Sequence, residues 1–470
     1  MNLALLRHAL LALAAAGLGG CATAPAYRKP ALDMPAAWQT EAPWRASAPR
    51  DGAAKGEWWL RFQDPQLDSL MRQAMGGNQT LAVAQARLTQ ARSLVASSEA
   101  ATFPQVNLGA RVSRFRISAN RPLTNYNSVN FSTVQDDYAA TLSVNYEADL
   151  AGRVQSTVDG ARASAEQSAA DLENLRLLVG ADLASNYFSL RALDTELDVL
   201  SRSIALQRRA LELATARHEL GASSGLDVAQ QQALLDNTLT QVDLLRRQRG
   251  LFEHAIATLT GTAAPRFTLG QQSQPMVPPA VPLGLPSDLL ERRPDVASAE
   301  RAMAVANAQI GVANAAFYPS IVLNPALGVD SRTLSRLFDA PSLLWSLGVS
   351  ATQALFDGGR LDANLRFAKA GYEATVSNYR RVVLTAMQEA EDGISSLAAL
   401  ERAHAQARTA VQSARRVLDL ANSRYEGGVS SYLDVITAQQ SLLNSERQAA
   451  QLLGQRMLTS VFLVKALGGG

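Results

Sequence analysis

The chain contains one stretch of sequence twice. Residues 424–435 have a counterpart at residues 217–228, at a shift of 207 positions, and both end in Leu-Asp-Val. The same shift relates Arg153 to Arg360, each of which follows a glycine. Because the two landmarks lie 64 positions apart in both copies, with no insertion in either, the spacing predicts rigid, uninterrupted secondary structure between them.

A second pair of segments defines the rest of the repeat. Thr102–Val106 matches Phe317–Ile321 at a shift of 215, so the first copy carries 8 more residues before its glycine-arginine landmark. Such a difference belongs in a loop. Copies of about 200 residues are too long for a solenoid unit, which predicts a duplicated half-molecule: repeat 1 at 65–260, a proline-rich linker at 261–286 and repeat 2 at 287–470.

Each repeat contains a long helical pattern followed by a shorter one. The predicted helices are 153–219 and 226–260 in repeat 1, and 359–426 and 432–467 in repeat 2. Leucines and isoleucines at spacings of three and four indicate side-by-side helix packing. At ~1.5 Å per residue the long helix would span roughly 100 Å, so we expect a pillar with the repeated stretch at its tip, far from the strands.

Two strand-like stretches precede each long helix. They are 105–117 and 138–149 in repeat 1, and about 320–330 and 343–355 in repeat 2. In 138–149 the even positions are apolar and the odd positions from Thr141 to Asp149 are polar or charged, which is typical of a strand with one dry and one wet face. A soluble hairpin packed on a core would show the same alternation.

Composition and motifs exclude several classes of protein. Hydrophobic residues make up 47% of the chain, charged residues 18%, and the net charge is +2, which excludes extended disorder and favours no nucleic-acid partner. The four histidines, His8, His218, His254 and His404, are scattered. Neither a nucleophile elbow nor a phosphate loop occurs. We therefore expect no catalytic residue, no metal, no bound cofactor and no enzymatic activity.

Cys21 is the only cysteine of the chain. It follows a basic start, an apolar run and two glycines, as in a secretory signal, and Leu18–Cys21 looks like a lipobox. This predicts a signal peptide at 1–20, a diacylglycerol thioether and an N-acyl chain on Cys21, and a lipidated tether at 21–64. Ala22, where aspartate would retain a lipoprotein at the inner membrane, implies the outer membrane. An ordinary signal followed by a chance cysteine is the alternative.

The sequence has no uninterrupted run of 18 apolar residues, so any span of a membrane falls to the strands. Four strands leave two edges whose backbone groups cannot remain unpaired in hydrocarbon. Two chains would give eight strands and a filled barrel, whereas three give twelve and a lumen. The expected fold is an α+β membrane protein, a homotrimeric 12-stranded β-barrel with four strands per chain, continuous with a long periplasmic α-helical barrel.

Several motifs resemble a known family. They are Glu291–Val296, Ala306–Gly311, Ala315–Ser320, Leu355–Arg360 and the repeated stretch through Tyr432–Val435. In this order they are similar to the signature of TolC-like outer-membrane factors, specifically the lipoprotein branch of efflux outer-membrane proteins. The resemblance covers nearly the whole mature chain.

The resemblance implies a passive homotrimeric exit duct for drugs or other small toxic compounds. It would dock through a periplasmic adaptor protein to an inner-membrane pump of the resistance-nodulation-division type and contact outer-membrane lipid. The outer-membrane duct of a type I protein secretion system shares the fold and is the main alternative; the lipobox and the Glu-Arg-Arg-Pro-Asp run favour efflux. A soluble periplasmic coiled-coil scaffold is opposed by the strand alternation.

The resemblance also implies a gate at the helix tips. Tyr425 matches the gate tyrosine of the family, but Glu426 and Thr437 stand where relatives have a basic and an acidic residue. The usual ion pairs would then be replaced by pairs of Arg424 or Arg217 with an acidic neighbour. The predicted gate comprises Arg217, Asp227, Arg424, Tyr425, Glu426, Tyr432 and Asp434. The predicted adaptor-docking tips are Gly221, Ala222, Ser223, Ser224, Gly428, Val429, Ser430 and Ser431.

The two tips are unequal. Tyr425 and Tyr432 of the second copy correspond to His218 and Gly225 of the first. We therefore predict that the second tip is the gate and that the first is a hinge or docking surface.

Overall fold

The structure is a computed structural model of the chain. It describes Tyr27 and residues 57–116, 118, 134–272, 276–280 and 292–469. The predicted signal peptide, Cys21 and most of the predicted tether lie outside the described residues. The described residues form two compact units, one within 1–30, 88–168 and 299–379, the other within 31–87, 169–298 and 380–470.

Six of the seven α-helices in the described residues come in pairs of equal length. The seven are α1 Pro65–Gly77, α2 Gln79–Ala100, α3 Arg153–Glu219, α4 Gly225–Leu259, α5 Pro294–Ala315, α6 Arg360–Glu426 and α7 Tyr432–Ala466. Both α3 and α6 have 67 residues, α4 and α7 have 35, and α2 and α5 have 22. The two long helices and their two return helices lie within one residue of the bounds expected from the sequence. In the part of the chain described here, no helix is both long and apolar enough to cross a membrane.

The strands number six among the described residues, not four. They are β1 Gln105–Arg116, β2 Val134–Ala148, β3 Ser320–Leu323, β4 Ala326–Ser331, β5 Leu343–Ser346 and β6 Val349–Thr352. Each predicted strand of repeat 2 is therefore broken in the middle. The first break contains Pro325, which has no N–H to donate to a ladder. The second contains Gly348, a residue that weakens a strand interior. β2 also begins at Val134, before the predicted start.

The breaks do not shift the register. β2 pairs antiparallel with β4 and then β3, from Tyr138↔Ser331 to Ala148↔Ile321, without a slipped residue. Pro325 still accepts a backbone hydrogen bond of 2.9 Å from Val144. The six segments form four ribbons, in the order β1, β2, β3 with β4, and β5 with β6. Every ribbon lies beside its neighbour in sequence, so the four-strand arrangement is retained at the level of the ribbons.

Equivalent residues close the return helix of each repeat. Asn78 precedes α2, accepts hydrogen bonds from the first turn of that helix and donates one of 2.9 Å to the carbonyl of Leu259, the last residue of α4. Arg293 precedes α5 and donates one of 2.9 Å to the carbonyl of Ala466, the last residue of α7. Carbonyl groups at helix ends lack partners within the helix. Both repeats thus solve this problem at the same place with different side chains.

A buried ion cluster holds the linker in the second unit. Asp194 is fully buried and accepts hydrogen bonds of 2.7 Å from both Arg191 and Arg249. Arg249 also donates to the main-chain oxygen of Leu269 at 2.6 Å. Removing one partner of such a cluster leaves an uncompensated buried charge, which costs about 3–5 kcal/mol. The cluster therefore fixes the start of the linker to α3 and α4.

We predict that Asn78→Ala lowers the melting temperature of the protein. The substitution removes an N-terminal cap and leaves the Leu259 carbonyl without its donor, a loss of about 1–3 kcal/mol. Gln79→Ala is the matched control, because Gln79 is exposed and follows Asn78 directly. Circular dichroism at one scan rate compares the two variants. Equal melting temperatures for both would contradict the capping role.

Candidate functional site

One face of the sheet is apolar in every ribbon, except at one end of β1 and β2, where Arg114 and Asp136 form an ion pair of 3.5 Å on it. The ladders pair Leu108 with Leu142, Leu142 with Leu327, and Leu327 with Trp345. Paired residues of neighbouring strands lie on the same face of a sheet. The register therefore collects the following side chains on one face: Val106, Leu108, Ala110, Val112, Tyr138, Ala140, Leu142, Val144, Tyr146, Ala148, Ile321, Leu323, Leu327, Val329, Leu343, Trp345, Val349 and Ala351.

These apolar side chains are not covered by the rest of the chain. Leu108 is 78% exposed and Trp345 69% exposed. The opposite face is mostly polar and carries an ion pair of 2.6 Å between Arg111 and Asp137. Soluble monomers rarely expose so large a contiguous apolar surface, which marks contact with a membrane or a partner. This exposure argues against the soluble-hairpin alternative, since no core of the described chain covers the dry face.

Both tips are built on the same helix-ending turn. At the first tip, residues 220–224, Gly221 has a φ of 72° and the N–H of Ala222 donates 2.8 Å to the carbonyl of Arg217. At the second tip, residues 427–431, Gly428 has a φ of 74° and the N–H of Val429 donates 3.0 Å to the carbonyl of Arg424. This is the Schellman motif, which requires a left-handed residue that glycine adopts without strain.

The first tip is firmly capped. Ser224 and Asp227 form a capping box, in which the Ser224 hydroxyl accepts from the N–H of Leu226 at 3.1 Å. The Asp227 carboxylate accepts from the N–H of Ser224 at 3.3 Å. His218 contacts the carbonyl of Ser223 at 3.0 Å through its Nδ1. The Asp227 carboxylate is thus committed to the start of α4.

The second tip lacks these bonds. Ser431 precedes α7, but its side chain makes no capping hydrogen bond. The hydroxyl of Ser430 is buried and has no partner among the described residues. Asp434 is exposed in the first turn of α7, where a negative charge is favoured by the helix dipole. The first tip therefore has more hydrogen bonds at its helix start than the second.

An arginine and two tyrosines join the two tips. The guanidinium of Arg217 lies 5.0 Å from the ring centre of Tyr425. The rings of Tyr425 and Tyr432 lie 5.0 Å apart at an angle of 52°. A guanidinium over an aromatic face is attracted by the ring quadrupole, by about 0.5–2 kcal/mol depending on exposure. The end of α3 is therefore linked to the end of α6 and the start of α7.

Tyr432 is further fixed by a buried hydrogen bond. Its hydroxyl donates 2.9 Å to Oε1 of Gln231 on α4, and only 6% of its surface is exposed. Burial, with Tyr425 and Asp227 nearby, raises the pKa of Tyr432 to about 12. The phenol therefore remains a hydrogen-bond donor throughout the physiological pH range. Gln231 was not among the predicted site residues. In the sequence it is marked only as one polar side chain within the helical pattern of α4.

The structure brings some predicted gate residues together and leaves others apart. Arg217, Tyr425 and Tyr432 form one contact group, whereas Arg424, Glu426 and Asp434 are exposed. Within the described part of one chain, no salt bridge joins the two arginines to the three predicted acidic partners. Arg217 thus binds an aromatic ring where an ion pair was expected. A role for any of these residues in gating remains a prediction.

Metal-ligating groups are dispersed through the described ranges, where no three His, Cys, Asp or Glu side chains lie together as a metal site would need. The predicted lipidation site Cys21 lies outside these ranges. The features that carry chemistry in the described chain are thus the apolar sheet face and the helix tips.

Comparison with known proteins decides the family. The model of the outer membrane efflux protein family matches residues 70–262 and 285–469, which cover nearly all of both predicted repeats. The chain belongs to the outer membrane efflux protein family. The resemblance to TolC-like outer-membrane factors seen in the sequence is thereby confirmed.

Members of this family resemble the chain over its full length. The pyoverdine export outer membrane protein OpmQ of Pseudomonas aeruginosa is 30% identical over 470 residues, covering 100% of this chain and 97% of OpmQ. The toluene efflux pump outer membrane protein TtgF of Pseudomonas putida is 32% identical, covering 98% of this chain and 97% of TtgF.

A solved structure extends the comparison to the fold. The open state of the MtrE outer membrane channel of Neisseria gonorrhoeae superposes with a TM-score of 0.82 at 27% identity, covering 96% of this chain and 98% of MtrE. This outer membrane efflux protein is thus located in the outer membrane, as its relatives are.

Tyr432→Phe should loosen the second tip. The substitution leaves Oε1 of Gln231 buried without a donor, which costs about 1–3 kcal/mol, while the aromatic contact with Tyr425 is kept. Hydrogen exchange of the amides around Gln231 and Tyr432 should become faster. Tyr425→Phe is the matched control and should leave exchange unchanged, because the described structure gives the Tyr425 hydroxyl no hydrogen bond. Equal protection in both variants would contradict the anchoring role of Tyr432.

Proposed function

We propose that this protein is the outer-membrane exit duct of a tripartite efflux system. Three copies form the duct, and their twelve ribbons close a β-barrel whose apolar face contacts outer-membrane lipid. The long helices form a periplasmic helical barrel. The duct carries out no reaction; it gives drugs or other small toxic compounds a passage that an inner-membrane pump drives.

The amphipathic sheet is the observation that carries this proposal. All four ribbons present apolar side chains to one side and mostly polar ones to the other. Outer-membrane barrels have this arrangement, with lipid on the apolar side and water on the polar side. The relatives named as exporters of pyoverdine and toluene support small molecules as the transported class.

The partners are an adaptor and a pump. The tips expose Ala222, Ser224, Gly428 and Val429 to solvent in the single chain, and a periplasmic adaptor protein that reads these turns would connect the duct to a pump of the resistance-nodulation-division type. The capping box of the first tip supports a docking or hinge role for that tip, because its helix start is held by more hydrogen bonds. The second tip, with its uncapped Ser431 and the exposed Asp434, supports the gate.

The lipid on Cys21 completes the proposal. A diacylglycerol thioether and an N-acyl chain would anchor the tether in the outer membrane beside the barrel. Anchoring by acyl chains becomes stable when two or more are present. The lipid would then assist delivery of the chain, while the strands supply the span.

Leu108→Arg should abolish function where Asn107→Arg does not. Both residues are exposed neighbours on β1, but they lie on opposite faces of the sheet. An arginine facing lipid costs about 2–4 kcal/mol at mid-membrane depth, whereas substitutions on the lumen face are tolerated. The readout is drug resistance of a strain that relies on this protein for efflux, together with the amount of protein in isolated outer membranes.

We expect Leu108→Arg to be depleted from the outer membrane and the cells to become drug-sensitive. Asn107→Arg should be inserted and should largely retain resistance. Full resistance with Leu108→Arg would contradict lipid contact of the apolar face. The efflux function itself would be contradicted if the unaltered protein were inserted normally and deletion of its gene had no effect on drug resistance.

A further inference from the structure

A cavity of about 240 Å³ lies between three helices of the second unit, α3, α6 and α7. Gln207 of α3 and Gln439 of α7 border it, together with Ser203, Leu418 and Glu446. The two repeats differ at this cavity, because the residue of repeat 2 that corresponds to Gln207 is Ala414. The cavity is a feature of the unequal part of the repeat.

Two side-chain oxygens at this cavity lack hydrogen bonds. Gln207 is 1% exposed and its Nε2 donates 3.1 Å to the hydroxyl of Ser203, but its Oε1 has no donor. Oε1 of Gln439 is also buried without a donor. Buried polar atoms in folded proteins almost always have a partner, because leaving one unpaired costs more than a typical hydrogen bond contributes. The two oxygens come from different helices and their side chains border one cavity, so one group of donors can serve both.

The charges around the cavity favour a neutral donor. Arg202 at the wall pairs with Asp198 at 2.9 Å, and Arg415 pairs with Glu446 at 2.7 Å. A cation in the cavity would be repelled by these two guanidinium groups, and the nearby carboxylates of Asp198 and Glu446 already pair with them. Water meets no such repulsion, and the cavity far exceeds the roughly 10–15 Å³ that one water molecule needs.

We propose that ordered water molecules occupy this cavity and bridge the amide of Gln207 to the amide of Gln439. The terminal torsion of glutamine is broad, so a small turn of each amide directs its oxygen to the water. The main-chain oxygen of Gln207 accepts 3.1 Å from Gln231, which in turn accepts from Tyr432. The water bridge therefore extends a hydrogen-bonded chain that runs from the second tip through α4 to α3 and returns to α7.

Such a bridge has a physical consequence for the helices that meet there. A direct contact in a packed core is lost when helices move, since interiors are close-packed. Bridging water keeps both amides paired over a range of separations at little entropic cost. The α3–α7 contact near the tip thus tolerates relative movement that an apolar contact would resist. This consequence rests on the proposed gate; the water site itself does not.

Methionine substitutions test the site through the sign of a melting shift. Gln207→Met and Gln439→Met keep the side-chain length and remove the amide. If water bridges the amides, the melting temperature of each single variant is lower by ~2 °C or more. The decrease in the double variant is smaller than the sum of the two single decreases, because both substitutions remove the same bridge. Gln232→Met is the matched control, since Gln232 is the exposed counterpart of Gln439 in repeat 1, and it should shift the melting temperature by less than ~1 °C.

A rise in melting temperature in Gln439→Met would show that its oxygen was dry and unpaired, and would overturn the proposal. Fully additive shifts would overturn the shared bridge. A crystal structure of the unaltered protein at about 2 Å resolution gives an independent answer should a variant fail to assemble. Water density within hydrogen-bond distance of both oxygens is expected; an empty cavity, or an anomalous peak there after a rubidium soak, would contradict it.

Discussion

The backbone groups along the two outer ribbons of the sheet have hydrogen-bond partners on one side only. Among the described strands, β1 pairs only with β2, and β5 and β6 pair only with β4 and β3. An unpaired backbone group costs several kcal/mol in hydrocarbon, and the proposed barrel places the exposed apolar face in hydrocarbon. Both demands are met when the edges close on other copies of the chain. In the proposed duct, the trimer, the lumen and the arrangement of tips around a pore all depend on that closure.

Duplication supplies the scaffold, and the differences between copies supply the contacts that join the two tips. Three pairs of helices have equal lengths, and side chains at equivalent positions, Asn78 and Arg293, close the return helix of each repeat. At the tips the copies diverge: Tyr432 stands where repeat 1 has Gly225, and Gln231 stands where repeat 2 has Ala438. The hydrogen bond between Tyr432 and Gln231 thus joins two residues that differ between the copies. A symmetric duplication could not form it, so the link between the tips exists because the copies are unequal.

Periodicity and spacing predicted much of this structure, because they report on backbone geometry. The long helices follow from an ungapped shift of 207 residues, and the faces of β2 follow from its alternation. Contacts between distant side chains leave no such pattern. Arg217 was expected to pair with a carboxylate and instead lies over the ring of Tyr425. An arginine can make either contact, so the residue type alone does not show which one forms. The break at Pro325 is visible in the sequence, but the register retained across it is a property of the assembled sheet.

Disulfide formation between sheet edges tests the closure most directly. Cysteine replaces Asn107 on β1, and in separate variants a second cysteine replaces each residue of Val349–Thr352 on β6. After oxidation in isolated outer membranes, denaturing electrophoresis without reductant counts the linked chains. The account predicts that at least one pair gives linked species that end at three chains. A series that ends at two, continues beyond three, or shows no linkage between chains with any pair would contradict closure by three copies.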